Sequence, residues 1–204
     1  MELYPWQSDF LECKEPVCAW VTPRQSGKSE VALLKANQDI TTIIAPYRVH
    51  LGLLRQRQEL LEREGFDSRP QLLSNSVAAD GISVQTNLLI IEEATMLTLA
   101  DLTYYYSLFS NEQVQQLIFM GTPHQNNRNL ADLCIQENIP VHRTRQAHWH
   151  SLTDYSDRLR QSMTDTQWMN QALGMYEPEI ERLFTRPGLK EFDLCELISL
   201  PPTP

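Results

Sequence analysis

The sequence has few of the features that would make its class obvious. Long hydrophobic runs are missing. No apolar stretch approaches the roughly 20 residues of a membrane-spanning helix, which excludes a transmembrane span of that kind. Basic charge is scarce, with 17 Lys and Arg against 26 Asp and Glu and a formal net charge of −9. Autonomous nucleic-acid binders draw most of their affinity from phosphate neutralisation and are usually basic. Any DNA contact here therefore needs a local basic face, a partner subunit or a transient encounter. Cysteine is sparse and has no CxxC spacing: Cys13, Cys18, Cys134 and Cys195 read as reduced thiols of a cytoplasmic protein. The start, Met1-Glu2-Leu3-Tyr4-Pro5-Trp6, has neither a basic region nor an apolar stretch, so no secretory signal is expected. There is no internal repeat and no low-complexity tract. Proline clusters only at Pro201-Pro202-Thr203-Pro204, which reads as a tail or linker.

What is present suits a globular domain. A chain of 204 residues with 42% hydrophobic content fits one domain. A chain of this size buries roughly 70% of its unfolded surface and needs no staple. Short apolar runs alternate with amphipathic stretches. Pro16–Val21, Thr41–Ala45, Leu88–Ile91, Gln116–Met120 and Pro140–Thr144 read as strands. Helices are expected over Lys28–Lys35, Leu51–Glu64, Asp101–Phe109, Asn129–Glu137 and Asp165–Phe184, the last with a break near Pro178. The alternation predicts an α/β fold with a mainly parallel sheet flanked by helices. Ligands in such sheets bind at the carboxyl ends of the strands.

Four segments carry chemistry. Thr22-Pro23-Arg24-Gln25-Ser26-Gly27-Lys28-Ser29 follows a strand and opens a helix. It matches GxxxxGK[ST] except that Thr22 stands where the first glycine is usual. Backbone amides at a helix start cradle phosphate oxygens, Lys28 adds a positive charge for the β- and γ-phosphates, and Ser29 offers a hydroxyl to Mg2+. An ordinary turn before a helix is the bland alternative. Leu88-Leu89-Ile90-Ile91-Glu92-Glu93-Ala94 is a buried strand ending in two acids, one for the metal side and one toward an attacking water. Two surface acids capping a strand would look the same in isolation. Ile118-Phe119-Met120-Gly121-Thr122-Pro123 ends a strand in a hydroxyl able to sense a γ-phosphate, or is a plain exit turn. Gln7, in Tyr4-Pro5-Trp6-Gln7, could pair with the N6/N7 edge of adenine, or be a surface glutamine after an anchoring tryptophan.

The order of these segments resembles the ATPase domain of the large terminase subunit, the motor that packages DNA into tailed-phage heads. PWQ, TPRQSGKS, LLIIEEA and MGTP stand where that family has its adenine-binding glutamine, phosphate loop, acidic strand and coupling motif. Gln167–Tyr176 resembles the stretch leading out of the ATPase domain. The resemblance spans residues 3 to about 185, and PRQSGKS and IIEEA are its specific parts.

The resemblance implies a P-loop NTPase core of the RecA/ASCE-like kind over residues 1–185, with residues 186–204 as a tail or linker. It implies ATP and Mg2+ as cofactors. The loop residues Thr22, Pro23, Arg24, Gln25, Ser26, Gly27, Lys28 and Ser29, with Gln7, would bind nucleotide. Ser29 and Glu92 would hold the metal, Glu93 would be the catalytic acid and Thr122 the coupling residue. Arg24 would stabilise transition-state charge in cis, or shape the loop through a salt bridge. Double-stranded DNA would be a transient partner of a homo-oligomeric ring, with a portal, a small terminase or a separate nuclease as further partners. A neighbour's Arg128, Arg143 or Arg145 would reach the site. Glu92 departs from the family's usual Asp, and no RNase H-like nuclease pattern is legible in the late acids. Two other readings stay open: a single-lobe helicase-like fragment, and a non-catalytic nucleotide-binding assembly switch.

Elsewhere, His148-Trp149-His150 could place two imidazoles on one strand face, with Cys134 and His142 upstream, or be a plain surface pair. The Arg/Glu alternation of Leu51–Glu64 reads as a solvated face.

Overall fold

The computed structural model describes residues 3–24, 26–37, 39–66, 69–78, 86–124, 127–144, 161–164 and 167–168. The expected helix over Asp165–Phe184, the His148/His150 pair, Gln25, Cys195 and the boundary near residue 185 lie outside the described residues in whole or in part.

The chain runs α1 (Pro5–Glu12), β1 (Val17–Val21), α2 (Lys28–Ala36), β2 (Thr41–Ala45), α3 (Arg48–Arg63), β3 (Gln71–Ser74) and α4 (Asn75–Ala78). It continues through β4 (Leu88–Ile91), a single 3-10 turn (Ala94–Met96), α5 (Leu99–Ser110), β5 (Gln116–Gly121), α6 (Asn129–Gln136) and β6 (Val141–Arg143). All six strands pair in parallel in the order β3-β2-β4-β5-β1-β6. This is the parallel α/β fold that the alternation of strands and helices leads one to expect.

The strands are apolar on both faces because both faces are covered. Trp6, Phe10, Trp20, Val31, Leu33, Ile43, Leu54 and Leu61 join strand residues in one core under α1, α2 and α3. Leu102, Tyr105, Phe119, Leu130 and Leu133 join the alternate strand residues in a second core under α5 and α6. The four residues of β4 are all buried, whereas the edge strand β6 is half-exposed.

Four elements lack a counterpart in the sequence expectation: α1, β3, the one-turn α4 and the 3-10 turn. Helix α1 forms where the sequence reads only as an anchoring segment. Its first turn is set by Pro5 at the helix start and by a reciprocal cap between Tyr4 and Gln7. Strand β3 forms in the stretch between Gly65 and Leu88, where the sequence suggests no strand. It is four residues long and only partly buried, so it lacks the apolar run that marks the central strands. No helix among the described residues is long and apolar enough to cross a membrane.

The sheet order decides where the chemistry lies. Strand β5 sits between β1 and β4, with Val21 opposite Gly121 and Ile91 opposite Phe119. Three neighbouring strands therefore deliver TPRQSGKS, GTP and EEA to one end of the sheet, with the β5 exit in the middle.

Candidate functional site

The loop after β1 begins at Thr22, whose amide donates to the Gly121 carbonyl at 3.0 Å. The Ser26 hydroxyl donates to Thr22 Oγ1 at 2.9 Å. The residue that replaces the usual glycine thus braces the loop across its mouth, and both hydroxyls are buried. Gly27 starts α2 with φ +84°, a left-handed conformation that glycine adopts without penalty. A Cβ on Gly27 would stand 2.4 Å from Gln7 Nε2.

Gln7 is buried, not a surface residue. Its Oε1 accepts from the Tyr4 amide at 3.0 Å and its Nε2 donates to the Ser26 carbonyl at 3.3 Å. In this structure both ends of the carboxamide are engaged by backbone, and the side chain lies against the loop.

Lys28 is 6% exposed, yet it carries a charge into the centre of the site. Its Nζ donates to Thr122 Oγ1 at 2.7 Å and to the Pro23 carbonyl at 3.3 Å, and lies 3.5 Å from Glu93 Oε1. Glu93 Oε2 also accepts from the Thr122 amide at 3.3 Å. Glu93 itself sits at φ 48°, ψ 41°, a left-handed conformation uncommon for a side-chain-bearing residue. It turns the chain out of β4 and holds the carboxylate back toward the β5 exit. Such strain collects at functional sites.

Glu92 lies at the end of β4, 3% exposed. It accepts from the Ser29 hydroxyl and, through Oε2, from the Glu93 amide at 3.2 Å. Burial, then the neighbouring Glu93 charge, pushes its pKa from 4.5 up to about 7; Lys28 and the two hydrogen bonds pull the other way.

Arg24 is exposed and lines a cleft of about 240 Å³ with His50, Glu93, Thr95, Met96, Thr122, Pro123 and His124. Four of these, His50, Thr95, Met96 and His124, lie outside the sequence motifs, and Thr95 and His50 are the informative ones. Thr95 Oγ1 donates to the Thr122 carbonyl at 2.6 Å, tying the 3-10 turn to the β5 exit. Gly121 permits that approach, because a Cβ there would meet Thr95 Cγ2 and Oγ1 at 2.8 Å. His50, near the start of α3, has its Nδ1 buried with no hydrogen-bond partner. Neither sits in a motif; only the absence of a side chain at Gly121 hints at Thr95.

The structure thus brings together Thr22, Pro23, Arg24, Ser26, Gly27, Lys28, Ser29, Glu92, Glu93 and Thr122, with Gln7 behind the loop. Among the candidate second arginines, Arg128 lies 3.8 Å from Asp132 on the surface, and Arg145 is outside the described residues.

No protein-family model matches the sequence, and no curated protein does. Solved structures do match in fold. The large terminase ATPase domain of Thermus phage P74-26 superposes with a TM-score of 0.65 at 13% identity, over 86% of this chain and 94% of that one. The large terminase of a thermophilic bacteriophage, solved in complex with ADP, gives 0.60 at 11% identity. That match covers 85% of this chain but 53% of the other, so the present chain spans about half of that protein. The UvsW helicase of bacteriophage T4 gives 0.56 at 11% identity, over 71% of this chain and 61% of its own. The order of the six parallel strands and these likenesses together give the chain an α/β fold of the kind found in large terminase ATPase domains.

Proposed function

We propose that this chain is a Mg2+-dependent ATPase, the motor domain of a viral DNA-packaging machine, with the ATPase over residues 1–185 and a tail over 186–204. One observation carries the reading: three adjacent strands set Lys28, Ser29, Glu92, Glu93 and Thr122 in direct contact. A chance GKS triplet has no reason to meet a pair of acids from a strand two places away.

The residues fit the metal. A hydroxyl and a carboxylate already in contact, Ser29 and Glu92, are the hard oxygen donors that Mg2+ takes beside waters and phosphate oxygens. Bound there, Mg2+ would neutralise developing charge on the β- and γ-phosphates. The backbone amides from Ser26 to Ser29, at the start of α2, cradle the phosphates. Lys28 leaves Thr122 and Glu93 to meet the γ-phosphate. Glu93, released from Lys28, orients the attacking water and accepts its proton. Arg24, at the mouth of the cleft, neutralises charge as the bond to the γ-phosphate breaks. Loss of the γ-phosphate returns Lys28 to Thr122, and the Thr122–Thr95 hydrogen bond passes that movement to the turn before α5. Gln7 ties the loop to α1, where adenine would sit.

The acidic composition suits a subunit that meets DNA within a ring in the host cytoplasm, with a neighbour's arginine, portal or small terminase completing the machine. The helicase likeness keeps the single-lobe alternative in view, at lower TM-score and coverage than the terminase domains.

The test is steady-state hydrolysis beside equilibrium nucleotide binding, with double-stranded DNA present. The wild type should turn over ATP, and Glu93→Gln should bind ATP but not cleave it. A wild type that binds ATP and never turns over would replace the motor with an assembly switch.

A further inference from the structure

Before β1, on the α1 and α2 side of the sheet, four side chains of metal-ligating type converge. Cys13, Glu15, Cys18 and His142 each present one ligand atom, and these atoms all lie within 4.8 Å of one another. The Cys13 and Cys18 Sγ atoms are 3.7 Å apart, and His142 Nε2 is 2.7 Å from Glu15 Oε2. Two thiolates on one tetrahedral zinc ion, each at about 2.3 Å, stand about 3.8 Å from one another. The sulfur pair already has that separation. An imidazole and a carboxylate on the same ion, at about 2.0–2.1 Å, stand about 3.3 Å apart, a small opening for two partly exposed side chains.

The surroundings hold these ligands in place. Gln116 Nε2 donates to the carbonyls of Cys13 at 3.2 Å and Glu15 at 2.9 Å, fixing the segment that carries two of them. Trp20 stacks on His142 with ring centroids 4.3 Å apart, setting the plane of the imidazole. Outer-shell contacts of this kind orient the ligands of real metal sites.

Charge supplies a separate argument. Lys35 is 4% exposed, and its Nζ reaches the carbonyls of Leu11 at 3.0 Å and Cys13 at 2.9 Å and the face of Phe10. None of these carries a charge, and a buried ammonium needs one. Two thiolates, one carboxylate, a neutral imidazole and a divalent ion leave one net negative charge, which Lys35 would balance.

We propose that Cys13, Glu15, Cys18 and His142 form a structural site for a thiophilic divalent cation, zinc, that ties the α1–β1 connection to the edge strand β6. Two sulfur donors favour zinc over magnesium or calcium, and four protein ligands make a closed site. Binding sends the two thiol protons to solvent and oxidises nothing. The site stands apart from the phosphate loop and does not rest on the proposed ATPase activity.

The test uses the full chain under reducing conditions. Metal content is measured as purified, and the stripped protein is titrated with Zn2+ and with Co2+ as a spectroscopic substitute. One equivalent should bind, cobalt should show a thiolate charge-transfer band with tetrahedral visible bands, and zinc should bleach both. Cys18→Ser should lose much of the charge-transfer intensity. Glu15→Gln and His142→Gln, at partly exposed positions, should weaken zinc binding by at least about tenfold, and they serve if Cys18→Ser does not fold. Failure to bind stoichiometric zinc, cobalt spectra without the charge-transfer band, or unchanged affinity in both Glu15→Gln and His142→Gln would each overturn the site and leave a histidine–glutamate ion pair. Before reductant is added, an intact mass two hydrogens light with a peptide joining Cys13 to Cys18 would overturn it in favour of a disulfide.

Discussion

Strand β4 is apolar throughout, so its two ends compare two ways of finishing a buried strand. At the amino end, Thr86 donates its hydroxyl to the Ile40 and Leu88 carbonyls, and Asn87 Nδ2 donates to the exposed Asp39. The polar groups there are answered by neutral backbone and by the segment entering β2, and the one charge, Asp39, faces water. At the carboxyl end, Glu92 is buried, Glu93 is in a left-handed conformation, and both are answered by groups at the start of α2 and at the β5 exit. The first end satisfies polar groups at small cost. The second holds charge out of water, which local structure alone would not select. The asymmetry is the physical reason to place function at one end of the sheet.

Substitutions at the two ends should separate by orders of magnitude. The largest effect is expected for Glu93→Gln: turnover should fall about a thousandfold with ATP binding retained, measured by phosphate release and by calorimetry. An equal loss on substituting Asp39 would erase the distinction between the ends. Next is a pH effect. Glu92 titrates near 7 in the folded chain against 4.5 ordinarily. A proton on it competes with Mg2+, so Mg-nucleotide affinity should fall up to about tenfold per pH unit below 7, and Glu92→Gln should remove that slope. The nucleotide-free protein gives the opposite sign. A raised acid pKa contributes stability that is complete below pH 4.5 and lost as pH rises through 7, so wild type should lose thermal stability relative to Glu92→Gln across that window. Third, Gly121→Ala should destabilise by about 1–3 kcal/mol in a denaturant melt, because the added Cβ meets Thr95. The smallest effect is expected for Asp39→Ala, which should cost less than about 1 kcal/mol and leave nucleotide affinity unchanged.

The central strands were legible because burial on both faces writes an unbroken apolar run; the ranges for β2 and β4 match the sequence expectation residue for residue. The edges were less so. β3 is mostly half-covered, and α1 depends on a cap between Tyr4 and Gln7 that has no periodicity. The loop and the two acids were visible as motifs, since phosphate and metal chemistry restrict residue types at fixed spacing. Thr95 and His50 were invisible because their roles come from strand order, which brings the turn after β4 and the start of α3 around the same cleft. The contact of Gln7 with the loop is likewise a matter of packing: α1 lies behind α2, and nothing in the local sequence says which backbone its amide will meet.

The grip of Thr122 and Glu93 on Lys28 has a consequence of its own. A cation stranded in a nearly dry site would draw in any stray anion or pry the loop open. Here it is parked on its own neighbours, so under the proposed function an arriving triphosphate would have to win it from them. Under the proposed function the chain would idle between nucleotides without collapsing its loop, held by a hydroxyl and a carboxylate together.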